Sequence, residues 1–371
     1  MKPCPLNSKP DWPDAAQRWT AFWKDEVPKD RVLMAIKTPR LDNPYPKPKE
    51  PENYEDFHVN LDFVIARRLH EVYSAEYLAE AIPAATISIT GGYLGILLGG
   101  KLRPMANGII WSEPFIADWD SVDVLRIDRS SRWYKLALDQ LALFREHSRD
   151  FLTLIPDFHG VSDALVSVRG AQDLAFDLVD QPEQIKRAGR QIVAAWLEAY
   201  NEAYDYISGY QAGSVIWFNM WHPGRCEAIQ EDFADLLSPE QYRQFFMQPD
   251  REFSRHIDKA MFHLHNTMTR LQEVTLEMPE IAGTQFRLPY DADRNPVPLN
   301  TQLDLYRRMH RAGKKTWYAA LDEADLQTAI LNSDPRHLYL IYPDVADAAD
   351  ANRIMTKACE LTQRRIKELG L

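Results

Sequence analysis

The residues of this chain with the most chemical potential are His263-Leu264-His265, inside the apolar run AMFHLHN. In an extended segment, side chains two apart leave the same face, so both imidazoles point to one side of a sheet. Two imidazoles at this spacing suit zinc, which in catalytic sites wants a third protein ligand and one open position. The alternative is a pair of strand-end histidines held by ordinary hydrogen bonds. A second constellation is Trp221-His222-Pro223-Gly224-Arg225, followed by Glu231 and Asp232. Aromatic, imidazole, guanidinium and carboxylate close together suit the wall of an anion or sugar site. They equally suit a surface turn with a paired arginine. Arg287 interrupts the apolar run TQFRLP and needs a partner or a ligand carboxylate.

The elements that position these groups are short apolar runs alternating with amphipathic stretches. From residue 151 onward, strands are expected at Phe151–Asp157, Ser214–Asn219, Ala260–His265, Gly283–Leu288, Lys315–Leu321 and His337–Tyr342. Helices are expected between them, one opened at Ser238-Pro239-Glu240, with serine as cap, proline in the first turn and an acid at the positive end. Repeated strand–helix units imply a parallel sheet with helices outside. Neither GxGxxG nor GxxxxGK[ST] occurs, so the nucleotide-binding open sheets lose their sequence support. The expectation is an α/β fold, a single (β/α)8 TIM barrel domain over residues 1–371, with residues 1–80 as an N-terminal cover and 81–371 as the barrel. The N-terminal elaboration comprises a helix at Ala15–Glu26 and a hairpin formed by Ile109–Trp111 and Pro114–Ile116. Ala85–Thr90 is a candidate early strand.

In such a barrel, catalytic groups stand at the C-terminal strand ends. That rule selects His222, His263, Arg287 and the rim residue Asp232 as catalytic. It selects Asn219, Trp221, Gln285, Tyr318 and Tyr342 as substrate-binding. Trp217 and Trp111 are candidate ligand platforms, and the lone thiol Cys226 reads as a small core filler.

Composition sets outer bounds. Forty-three Lys and Arg against 54 Asp and Glu leave a net charge of −11, which argues against nucleic acid as a partner. Three cysteines without a CxxC spacing exclude a disulfide scaffold and a cysteine-rich structural zinc site. The polar, proline-rich start carries no secretory signal, and no apolar run reaches the roughly 18 residues of a membrane span. A cytoplasmic protein acting on a small molecule, without a membrane partner, is the expectation.

The order of several segments resembles the uroporphyrinogen decarboxylase-like barrels, a superfamily that includes corrinoid-dependent methyltransferases and cobalamin-independent methionine synthase. The opening RWTAFWKDEVPKDRVLMAI (residues 18–36), the stretch from Phe151 to Arg187 and above all DFADLLSPEQYRQFFMQP (residues 232–249) carry the resemblance. It covers most of the chain. His263-x-His265 falls where methyltransferase members have His-x-Cys. By analogy with the family's last ligand, Asp344 at the end of the final strand completes an N/N/O metal set with His263 and His265. Such a set is harder than the thiolate-rich family site and suits water or an alkoxide better than a thiol. The resemblance implies transfer of a methyl or one-carbon group between a small substrate and a corrinoid protein or small acceptor. Zinc is the implied cofactor. The corrinoid-binding Asp-x-His-x-x-Gly signature is absent, so a corrinoid would arrive on a partner protein. The arginine-rich signature of true uroporphyrinogen decarboxylases is also missing from residues 30–60, which argues against heme-pathway decarboxylation. The alternatives are a cofactor-free lyase or decarboxylase on a small carboxylated or sugar-like substrate, and a non-catalytic ligand-binding barrel.

Overall fold

The computed structural model describes residues 2–53, 55–89, 92–104, 110–122, 124–265, 269–287 and 299–371, apart from the side chains of Pro104, Thr269 and Arg287. It is a mixed α/β fold around a seven-stranded, mostly parallel sheet. The strands are β1 (Leu33–Pro39), β2 (Ala75–Ala79), β3 (Ala84–Ala85), β4 (Lys101–Pro104), β5 (Ile110–Glu113), β6 (Leu152–Thr153), β7 (Ser214–Ile216), β8 (Met220–His222), β9 (Cys226–Gln230), β10 (Lys259–His263), β11 (Ile281–Arg287), β12 (Lys315–Ala319) and β13 (Leu338–Ile341). The main sheet runs β2-β1-β13-β12-β11-β10-β9, and only β1–β2 is antiparallel. Beside it, β3 and β6 pair in parallel, and Leu154 bridges in parallel to Val215.

Parallel strands are buried on both faces, and the alternation of side chains shows it. Leu33, Ala35, Cys226, Ala228, Met261, Trp317, Ala319 and Tyr339 form one core. The intervening residues of the same strands face two other cores: Ile229, Ala260 and Phe262 one, and Met34, Ile36, Tyr318, Leu338 and Leu340 the other. The first core is completed by Val215, Ile216, Phe218, Met220 and Trp221 of the β7–β8 hairpin. The N-terminal helix Trp12–Trp23 adds Trp12, Trp19, Phe22 and Trp23.

Several expectations are corrected here. Leu33–Pro39 lies within the stretch expected to be a cover, yet it pairs in parallel with β13 inside the main sheet. The apolar run SVIWFNMW is two short strands, not one long one. The chain reverses at Trp217–Asn219, with Asn219 in the left-handed region (φ 54°), and returns antiparallel as β8. The strand that joins the main sheet is β9, which follows this hairpin. A continuous apolar run does not tell a buried strand from a buried hairpin by its period. A further antiparallel pair is β4–β5, displaced toward the N-terminus from the expected hairpin, and among the described residues of ATISIT only Ala85 lies in a strand. The serine cap forms as expected: Gln241 N donates to Ser238 Oγ at 3.2 Å and Ser238 N to Gln241 Oε1 at 3.0 Å, a capping box on helix Pro239–Phe245.

Candidate metal centre

β9 and β10 run in parallel with His263 opposite Gln230, so Asp232, two residues beyond β9, arrives beside the histidines that end β10. Asp232 Oδ1 lies 3.3 Å from His263 Nε2 and 3.3 Å from His265 Nε2. The three ligating atoms all fall within 4.8 Å of one another. Tetrahedral zinc with Zn–N and Zn–O bonds of about 2.0–2.2 Å holds its ligand atoms roughly 3.3–3.5 Å apart, which two of these three edges already match. His263 is buried, whereas His265 and Asp232 are partly open, so one side of the group faces outward.

The surroundings orient the ligands. His263 Nδ1 lies 2.5 Å from the buried Gln285 Oε1, which as an acceptor fixes the ring proton on Nδ1 and turns the Nε2 lone pair toward Asp232. In the neutral ring a lone pair then faces a carboxylate oxygen, and Asp232 Oδ1 has no aligned hydrogen bond. A cation between them relieves that repulsion. Gln230 Nε2 donates to Asp232 Oδ2 at 2.8 Å. Burial opposes charge on Asp232; when the rings instead carry a second proton, His263 and His265, with Gln230, outweigh it and hold the carboxyl at about 2.

Behind this group lies a layer of buried acids. Asp163, on helix Val161–Arg169, accepts from the backbone N–H groups of Asp232 and Phe233 at 2.9 and 2.8 Å. Burial, then the Asp232 charge, push it to about 7. Burial and the neighbouring Asp250 and Asp163 raise Glu231 well above the carboxylate range. Burial also lifts Asp250 to about 6, although Tyr242 donates to it at 2.6 Å. His159 is buried in a left-handed backbone (φ 61°), its ring 5.5 Å from that of Trp111. Burial disfavours its charge, but Asp157 foremost, then Asp163 and Asp232, raise it to about 9. These groups carry no spacing signal in sequence. In the sequence, Asp157 and His159 stand only as polar residues at and just after the end of an apolar run.

The residues singled out from sequence separate into three places. Asp232, His263, His265 and Gln285 come together. Asp344 is not in that group: the acid beside the imidazoles is Asp232, and Asp344 lines a neighbouring cavity of about 390 Å³ with Asn219, Trp217, Trp317 and Tyr342. Trp217 joins the two, its ring centroid 4.8 Å from that of His263. His222 and Trp221 stand elsewhere. The hairpin carries them back to the start of β9 and β10, roughly 13 Å along the strand from His263 at about 3.3 Å per residue. There Trp221 is buried against Trp12 and donates to Ala212 O at 2.7 Å. His222 Nδ1 accepts from Gly224 N at 2.9 Å, and burial lowers it to about 4. Both are buried in the core, apart from the Asp232, His263 and His265 group with which the sequence reading placed them. Arg225 pairs with Asp205, and burial pushes the Cys226 thiol up. Tyr318 faces the helix side and donates to Asp325 Oδ1 at 2.8 Å, away from the site. Arg287 ends β11, but its side chain lies outside the described residues.

Among the described residues, no helix is long and apolar enough to cross a membrane. Comparison with protein-family models and with curated proteins finds no match for this chain.

Proposed function

We propose that this chain is a metal-dependent enzyme of the uroporphyrinogen decarboxylase-like barrel kind. In this reading it moves a methyl or one-carbon group between a small substrate and a corrinoid protein or small acceptor. The observation that carries the reading is Asp232 Oδ1 at 3.3 Å from two imidazole Nε2 atoms, one of them turned by Gln285. Eight short parallel segments (β1, β3, β6 and β9 to β13) supply the strands of a (β/α)8 barrel. Hydrogen bonds from Leu152 N to Pro83 O and from Gly160 N to Gln230 O link β3 to β6 and the chain after β6 to β9, which supports its closure. The site then lies at the C-terminal strand ends, where barrel enzymes carry their chemistry.

Asp232, His263 and His265 would hold zinc, which when bound supplies a Lewis acid for an acceptor oxygen. Gln285 keeps His263 in its ligating tautomer, and Gln230 orients the Asp232 carboxylate. Asp163 holds the loop that carries Asp232 through two backbone N–H groups. The N/N/O donor set favours an oxygen acceptor over a thiol.

A second reading rests on a different observation. Asp232 is held at about 2 while Asp163 beside it is lifted to about 7. Carboxyls pushed apart in this way serve as base and acid without a metal, as a cofactor-free lyase or decarboxylase requires. Elemental analysis of protein purified without an affinity tag separates the two. Stoichiometric zinc, lost in both Asp232→Asn and His263→Ala, is the expected result. Metal-free, folded protein that turns over a carboxylated substrate would leave the lyase reading standing instead.

A further inference from the structure

The cavity beside the candidate metal centre is lined by both apolar and charged groups. It measures about 390 Å³, within the range of small-molecule sites, and Trp217, Trp317 and Tyr342 supply much of its apolar wall. Three polar side chains also line it: Lys37 from β1, Asp344 after β13 and Asn219 at the tip of the β7–β8 hairpin. Among the described residues, none of the three has a side-chain hydrogen bond or an ion-pair partner. Lys37 and Asp344 are close in the fold, since Val345 N donates to Lys37 O at 3.0 Å, yet their charged groups do not pair. Lys37 Nζ instead lies 5.6 Å from the centre of the Tyr77 ring, and Tyr77 also feels the Asp344 charge. The hairpin tip places Asn219 in the left-handed region, which asparagine adopts readily in a tight turn.

Asp344 is exposed at the mouth of the cavity, while Lys37 and Asn219 are half-buried further along its wall, so the cavity offers a cation and an anion site to one small molecule. We propose that the cavity binds a compact zwitterion of the α-amino acid class. Its carboxylate meets Lys37, its ammonium meets Asp344, Asn219 takes a remaining polar contact, and its apolar side chain lies against the tryptophans. Trp217 borders both the cavity and His263, so the bound molecule stands next to the metal centre. The proposal rests on the metal-enzyme reading only in making this molecule a substrate; the binding itself does not depend on it.

The test is calorimetric titration of the full chain with two matched sets of ligands. One set is L-leucine, 4-methylpentanoate and 3-methylbutylamine; the other is L-phenylalanine, 3-phenylpropanoate and 2-phenylethylamine. At least one amino acid should bind about tenfold or more tighter than both of its single-charge analogues. Lys37→Ala should remove that advantage over the amine, and Asp344→Asn the advantage over the carboxylate, with urea midpoints showing both variants folded. A carboxylate that binds as tightly as its amino acid would make this an anion site and overturn the proposal. So would the absence of millimolar binding by all six. Running the series on chelator-treated and zinc-loaded protein separates the two readings. Discrimination that survives in protein taking up no zinc would sink the metal reading alone. Stoichiometric zinc with no discrimination would sink the zwitterion alone.

Discussion

Replacing Gln285 by leucine removes the acceptor of His263 Nδ1 while keeping a side chain of similar bulk. The bond it breaks is short, 2.5 Å, and both residues are buried, so water does not readily replace the lost oxygen. Two responses are open to the ring. It can keep its proton on Nδ1 with no acceptor, at a cost of about 1–3 kcal/mol. Or it can move the proton to Nε2, the atom 3.3 Å from Asp232 Oδ1, and cease to be a ligand until that proton leaves. The first lowers the stability of the metal-free and metal-bound forms alike; the second costs affinity, because zinc must return the ring to the unaccepted Nδ1–H form. At about 1.4 kcal/mol per decade, restoring that form at up to about 1–3 kcal/mol corresponds to roughly a 5- to 150-fold loss of affinity. Outer-shell partners of metal-bound histidines typically contribute about 10- to 100-fold, which brackets the same value. Competition for zinc against a chromogenic chelator near neutral pH reads the affinity, and urea unfolding of the metal-free forms reads the fold. Gln285→Glu, which keeps an acceptor oxygen, should recover most of the affinity. A folded Gln285→Leu protein binding zinc within about twofold of the parent would refute the tautomer argument. A glutamate variant as weak as the leucine one would refute it as well.

Asp232→Asn should lose zinc by at least about tenfold while Asp344→Ala keeps it, and the reverse order in the same competition assay would restore Asp344 as the ligand. Trp221→Ala should destabilise the fold by about 3–5 kcal/mol in urea with zinc affinity unchanged, as befits a core residue; a loss of zinc affinity without a loss of stability would return it to the site. The third expectation concerns acid. Burial lowers His310 from 6.5 to about 3 and His222 from 6.5 to about 4, so the unfolded chain binds more protons than the folded one between those values. Stability should therefore fall as pH drops below 6.5, by up to about 1.4 kcal/mol per pH unit for each histidine. A His222→Gln/His310→Gln double variant should show a shallower acid slope, and an unchanged slope would assign the effect to the carboxylates.

Much of the local structure is legible in the residues themselves because the forces that set it are local. The alternation that turns His263 and His265 to one side is a property of any extended backbone. Ser238-Pro239-Glu240 opens a helix because the serine oxygen and the proline ring satisfy its first turn. The parallel sheet follows from apolar runs separated by amphipathic stretches too long for hairpins. What remained hidden depended on partners distant in the chain. SVIWFNMW is apolar apart from Ser214 and Asn219, so its period could not reveal the reversal at Asn219 that carries Trp221 and His222 to the opposite end of the strands. Asp344 and Asp232 are the same residue type near strand ends. Only the register of β9 on β10, with Gln230 opposite His263, puts one of them beside the imidazoles and leaves the other in the cavity. The acids of the second layer, Asp163, Glu231 and Asp250, look in sequence like surface carboxylates. Their altered proton affinities arise when packing removes water and sets their charges side by side, a desolvation that the folded assembly creates and no single segment contains.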